Sequence, residues 1–237
     1  MLRARIDMRV PLRRLAIFAA LAVVLWLALA CLYDAMIPLL SSPGCPRSRI
    51  VVIDVSGILK SADLGVPIVR GLTVPQLLSL GRCGARYIVI VGHGLEIESS
   101  VTGMEGGFAL ETSEPANVLA LVKYPLFVFT EALMRGYVPG SSPRLAATSR
   151  ITWFMASMRG KIVVLITCPL GDIKSFARSL IERGCIAVAY PSMRTLALGV
   201  LRVVVSVVKS LSESKSVPDA VHSLRELGFI VLQAERQ

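Results

Sequence analysis

Four short runs of consecutive apolar residues set the tightest limit on the fold: residues 50–55 (IVVIDV), 87–91 (YIVIV), 161–167 (KIVVLIT) and 185–190 (CIAVAY). None alternates apolar with polar positions, so each is expected to be a strand buried on both faces. Turn signals stop them: Ser56-Gly57, Gly92-His93-Gly94, and Cys168-Pro169-Leu170-Gly171-Asp172. Helical patterns fall between the runs. Residues 74–80 carry Pro75 in a first turn. Residues 173–183 place Phe176, Ala177, Leu180 and Ile181 on one side, with Gly184 as a cap. Residues 195–211 and 218–227 are also expected to be helical, and 229–232 a last strand. Strands and helices in alternation predict an α/β fold: a three-layer sandwich around a mainly parallel sheet. In the intervening chain, 108–110 is expected to be a short strand or hairpin arm. Residues 115–137 are expected to be helical with a break near Pro125, 139–144 a loop, and 151–158 a short helix.

Ahead of this domain lies a stretch of another kind. Residues 15–33 (LAIFAALAVVLWLALACLY) carry no charge. As a helix rising 1.5 Å per residue they reach about 28 Å, the thickness of a bilayer's hydrocarbon core. Arg3, Arg5, Arg9, Arg13 and Arg14 precede the stretch, with Asp7 the one acid among them. Positive charge stays on the cytoplasmic side. The expected organisation is a cytoplasmic basic tail (1–14), a transmembrane helix or signal anchor (15–33), a linker (34–49) rich in Pro, Ser and Gly, and a domain (50–237) outside the cell membrane. Ala28-Leu29-Ala30 also has the small-x-small form of a signal-peptidase site, and Cys31 behind it admits a lipoprotein reading. All three readings deliver the domain to the same compartment.

The net charge of +10 comes from 26 basic and 16 acidic residues. The basic tail supplies part of it, and the remainder holds no dense Lys/Arg run with interleaved aromatics, so no nucleic-acid partner is expected. Apolar residues at 54% and charged residues at 18% exclude a disordered or collagen-like chain. There is no G-x-x-x-x-G-K-[ST] loop and no G-x-G-x-x-G loop, and no cofactor is expected. The five cysteines (Cys31, Cys45, Cys83, Cys168, Cys185) form no C-x-x-C pair and no zinc spacing, and no metal is expected. An odd number leaves at least one thiol unpaired.

Of the two histidines, His222 sits in a helical pattern with the character of a surface residue. His93 stands between two glycines at the end of a buried strand, and Cys168 ends another. Ligands of open α/β sheets bind beyond the carboxyl ends of the strands. If the two strands are neighbours, His93 and Cys168 face one crevice. The imidazole then takes the thiol proton and the thiolate attacks a carbonyl carbon. The N–H groups of Gly94 and Cys168 are candidate oxyanion donors, and a helix starting near Asp172 adds a favourable dipole.

The passage IVIVGHG (88–94) resembles the strand and His-Gly motif of caspase-like (clan CD) cysteine peptidases. KIVVLITCPLGD (161–172) resembles their apolar strand ending in a small residue and the nucleophilic Cys, in a form closest to CHAT-type domains. The likeness continues through FARSLIERGCIAVAYPSMRT and spans roughly 50–235. It implies His93 as general base, Cys168 as nucleophile and Gly94 as an oxyanion donor. It also implies that the first strand end and the position after the Cys help line the specificity pocket. Asp54 and Asp172 stand there and would favour a basic side chain; each is equally suited to capping a turn or a helix. The sequence departs from the pattern at Pro169, where the family has a polar residue, and in the 75 residues from His93 to Cys168, more than the roughly 50 of caspases. The resulting expectation is an extracytoplasmic, membrane-anchored cysteine endopeptidase acting on peptide or protein substrates. The alternative is a catalytically inactive binding or scaffold domain. A flavodoxin-like strand order would instead separate the two residues.

Overall fold

The computed structural model describes residues 12–59, 63–97, 107–137, 142–168, 171–196 and 199–234. The first element, α1 (Leu12–Leu40), is built from Ala and long aliphatic residues that lose little freedom in a helix. Its stretch Leu15–Leu40 contains an 18-residue window of mean hydropathy 2.8 with no buried residue, and is long and apolar enough to cross a membrane. The helix continues to Leu40, past the end of the uncharged run at Tyr33, so the first part of the expected linker is helical. This last part also packs on the domain. Asp34, Ile37 and Pro38 are buried, and the Arg82 guanidinium donates to the carbonyls of Pro38, Leu39 and Ser41. A disulfide joins Cys45 of the linker to Cys83.

Along the chain follow β1 (Ile50–Asp54), β2 (Ile68–Arg70), α2 (Val74–Ser79), β3 (Tyr87–Val91), β4 (Gly94–Ile97), β5 (Gly107–Pro115), α3 (Val118–Lys123) and α4 (Pro125–Phe129). Then come β6 (Leu133–Gly136), β7 (Arg144–Thr148), β8 (Ile162–Ile166), α5 (Ile173–Glu182), β9 (Ala187–Pro191), α6 (Met193–Leu196), α7 (Val200–Glu213), α8 (Val217–Glu226) and β10 (Phe229–Gln233). Six strands form a mixed, mostly parallel sheet in the order β10-β9-β8-β3-β1-β2. Only the β10–β9 pairing is antiparallel.

The unbroken apolar runs have their cause in this sheet. Val51, Ile53, Ile88, Ile90, Val163 and Leu165 share one core with Leu77 and Leu78 of α2 and Phe176 and Leu180 of α5. Val52, Val89 and Val164 share another with Val203, Val204 and Val207 of α7 and Leu224 of α8. Neither face is wet, so every position of β1, β3, β8 and β9 except Asp54 is apolar, and each large side chain so buried stabilises the fold by about 1.5–3 kcal/mol. α2, α5 and α8 start where side chains can cap them. Thr73 and Gln76 form a capping box on α2, Ser216 and Asp219 one on α8, and Asp172 caps α5. Each such cap contributes roughly 1 kcal/mol.

A second, antiparallel sheet of four strands has the order β4-β5-β7-β6. Phe108, Leu110, Leu133, Leu145 and Ala147 carry it into the same core as α2 and α5, and the Phe108 ring meets Phe176 edge-on at 5.3 Å between centroids. This sheet corrects several expectations. Within 115–137 the break expected near Pro125 is present, with α3 and α4 parting at Tyr124, but 133–136 is strand rather than helix. Arg144, expected in a loop, starts a strand; residues 139–141 of that loop lie outside the described residues. The helix expected at 151–158 is a 3-10 turn, Ser149–Phe154. The long helix at 195–211 is two, with Gly199 at φ +91° before the second. The fourth strand starts at Ala187 rather than 185, because Gly184 turns the chain at φ +106°.

Candidate functional site

The strands that carry His93 and Cys168 are direct neighbours. β3 and β8 run parallel, with Val91 opposite Ile166, so His93 and Cys168 each lie two residues beyond the same rung. Strands in a sheet are about 4.8 Å apart, and the Gly92 N–H donates to the Ile166 carbonyl at 3.2 Å, holding that spacing past the last rung. Beyond it, the Gly94 backbone presses on the Cys168 segment so closely that a Cβ at 94 would collide with the Cys168 carbonyl oxygen and the Phe108 ring. Glycine is required there for close approach. A strand order separating the two residues is thereby absent. The Cys168 thiol is exposed and unpaired, and His93 is half-buried.

Gly94 opens β4, an edge strand. It pairs with Leu110, and the Glu111 N–H donates to the His93 carbonyl at 3.2 Å. In an antiparallel ladder that bond marks Gly94 and Leu110 as a non-hydrogen-bonded pair, which turns the Gly94 N–H away from β5. The amide is thus outside the β4–β5 ladder, on the sheet's free side, as an oxyanion donor must be. Next to Cys168, Thr167 is buried and its hydroxyl has no hydrogen-bond partner among the described residues.

Glu111 is a member of this neighbourhood that the sequence reading passed over. It is buried on β5, and its carboxylate lies 3.3 Å from Nε of Arg144. Burial raises its pKa above the usual carboxylate range, against the opposing pull of His93 and Arg144. An acid closing the apolar run Phe108-Ala109-Leu110 was the available signal, since such acids stay buried only with a partner.

The two aspartates diverge. Asp54 is buried, and its carboxylate accepts from the N–H of Leu59 (2.8 Å), the N–H of Ile58 (3.2 Å) and the Ser56 hydroxyl (3.2 Å). It closes the turn after β1 and is not offered to a substrate, which corrects the expectation that it lines a specificity pocket. Asp172 is exposed at the start of α5, where Oδ1 accepts from Ser175 N–H at 3.0 Å. It also raises the Tyr190 hydroxyl's pKa, behind the larger effect of burial, which places it by the end of β9. Of the three acids expected in a loop after His93, Glu96 lies in strand β4 opposite Phe108, and Glu98 and Glu105 lie outside the described residues, as do Pro169 and Leu170.

The remaining candidates are structural. Cys185 is buried, and burial pushes its thiol up to about 12. His222 is exposed beside Glu226 at 3.2 Å, one helical turn away. Among the described residues no group of three or more His, Cys, Asp or Glu converges on a point where a metal could sit. The chain matches no known family model, and no curated protein matches it.

Proposed function

We propose that this protein is a membrane-anchored cysteine endopeptidase of the caspase-like type, with α1 in the membrane and the α/β domain outside the cell. The observation that carries the proposal is the adjacency of β3 and β8 in a register that sets His93 beside an exposed Cys168. Helices against both faces of a mostly parallel sheet agree with the caspase-like layering. The Cys45–Cys83 disulfide and the arginines before α1 agree with an oxidising, extracytoplasmic location.

In the proposed reaction His93 accepts the proton of the Cys168 thiol, and Sγ attacks the carbonyl carbon of the scissile bond. The N–H groups of Gly94 and Cys168 hold the oxyanion. The tetrahedral intermediate collapses, the C–N bond breaks, and His93 gives its proton to the departing amine. A water molecule, deprotonated by His93, then attacks the thioester; the C–S bond breaks, and acid product and free thiol are restored. Glu111 is a positioning residue: its backbone N–H holds the His93 carbonyl, and its buried carboxylate supplies negative charge near the imidazole. Asp172, exposed at the same rim, favours a substrate with Arg or Lys before the scissile bond.

The test is cleavage of a mixed peptide library by the full chain in detergent, beside its Cys168→Ala form. The expected result is turnover after basic residues, reduced at least about 10³-fold in the alanine form. Turnover that persists in the alanine form rejects Cys168 as nucleophile. Silence of both forms on every peptide assigns the domain to binding instead.

A further inference from the structure

α3 presents an apolar face to the outside. Val118, Leu119 and Val122 are 75%, 72% and 50% exposed, and Phe129 of α4 is 76% exposed. The three α3 positions are spaced one, three and four residues apart, so they form a single stripe, with Ala120 buried away from it. Such side chains are costly in water when clustered, and a cluster of this kind marks an interaction surface.

What covers the stripe follows from α4, the next helix, which packs against the end of α1. Asp34 is the first charged residue after Arg14. A carboxylate is expensive inside hydrocarbon, so a spanning α1 leaves the apolar core at or before Asp34. Asp34 is fixed to the domain: its Oδ2 accepts from the N–H of Leu126, in the first turn of α4, at 2.9 Å. Tyr33 and Asp34 both act electrostatically on the Tyr124 hydroxyl, the residue that joins α3 to α4. The joint between α3 and α4 is therefore held at the level where α1 leaves the membrane. Each of these helices is under 10 Å long at 1.5 Å per residue, comparable with the 5–10 Å to which an interfacial helix sinks. Lys123 has the form of an interfacial side chain, its ammonium 4.7 Å from the centre of the Tyr124 ring and 2.9 Å from Glu114.

We infer that the bilayer itself is the occupant: Val118, Leu119, Val122 and Phe129 dip into the lipid interface beside α1 and give the domain a second membrane contact. Two contacts, with Arg82 and the Cys45–Cys83 disulfide bracing the connection, fix the tilt of the domain. The site then works at a set height above the membrane, on substrates that are presented there. This inference rests on the reading of α1 as a membrane span.

Spin-label depth measurements on the full chain in phosphatidylcholine vesicles test both. Labels enter one at a time as Leu119→Cys, Val122→Cys, Phe129→Cys, Val24→Cys on α1 and Leu201→Cys on α7, in a background with Cys31→Ala and Cys168→Ser. The expected result is a collision ratio of oxygen to a water-soluble nickel chelate that is severalfold higher at 119, 122 and 129 than at 201, and highest at 24. A deep label at 24 with 119, 122 and 129 matching 201 overturns the interfacial contact and leaves the anchor standing. A water-exposed label at 24 overturns the anchor and the inference with it. Labels at 119 and 122 that are immobile and shielded from both reagents, with dipolar broadening between chains, overturn it in favour of a second copy.

Discussion

The two rims of the main sheet carry the same kinds of side chain to opposite ends. At the amino rim Lys161 and Arg49 hold neighbouring groups in place. Lys161 donates to the carbonyls of Cys83 and Ala85, and Arg49 to the Ser214 carbonyl and the Tyr87 hydroxyl. The Cys45–Cys83 disulfide locks the same side. Cys185 is sealed there, protonated and inert. At the carboxyl rim β3 leaves the ladder at Gly92, a thiol stands exposed, a histidine is half-open to solvent, and a buried hydroxyl has no partner among the described residues. One rim is closed by satisfied hydrogen bonds. The other keeps reactive groups uncommitted, which is what a site for passing substrates requires.

If that contrast is right, damage to the amino rim changes stability and spares chemistry. The largest effect is expected from Cys83→Ser. It opens a loop of 38 residues, and chain entropy alone puts the loss at about 4 kcal/mol. Urea denaturation should show a lower midpoint, while kcat/KM of the folded fraction stays within about twofold. An unchanged midpoint contradicts the lock.

A smaller effect comes from Cys185. Burial raises its folded pKa from 9.0 to about 12, so the native state holds this proton longer than the unfolded state does. The associated stability is complete below pH 9 and is lost as pH rises toward 12. Over the first one and a half units the loss is on the order of 2 kcal/mol. The difference in stability between wild type and Cys185→Ala should shrink with pH by that amount; a constant difference refutes the assignment.

The smallest expected effect falls on the other rim. Glu111→Gln should lower kcat/KM by about tenfold, roughly 1.4 kcal/mol, with the pH profile of activity displaced. Because burial raises the Glu111 carboxyl, the stability this group contributes is present below the ordinary carboxylate range and declines as pH rises through its folded value. The glutamine form should therefore show a flatter stability profile through that range. An undisplaced activity profile alongside unchanged kcat/KM leaves Glu111 a purely structural residue.

The main sheet was legible because its strands announce themselves. Runs such as YIVIV, apolar on both faces and stopped by glycine, have few alternatives, and β3 matches its expected bounds residue for residue. The antiparallel sheet was not. β6 reads LMRG and β7 RLAAT, and such short strands have little periodicity of their own; pairing with each other and with β5 makes them strands. Asp54 shows the limit on the site side: position at a strand end suggested a pocket, but three donors within the next five residues claim its carboxylate. Glu111 was missed for the related reason that its neighbours His93 and Arg144 are distant along the chain. His93 and Cys168 were found because each ends a recognisable strand, whereas their adjacency needed the strand order.

The central claim is that His93 and Cys168 act as one unit, and the rate of iodoacetamide alkylation at Cys168, followed by mass spectrometry at pH 6 in wild type and in His93→Ala, tests it most directly. The account predicts at least a tenfold slower reaction at Cys168 in the alanine form, because the thiol then has no base beside it to take its proton. Equal rates in the two proteins, with Cys168 no faster than a free thiol in solution, contradict it.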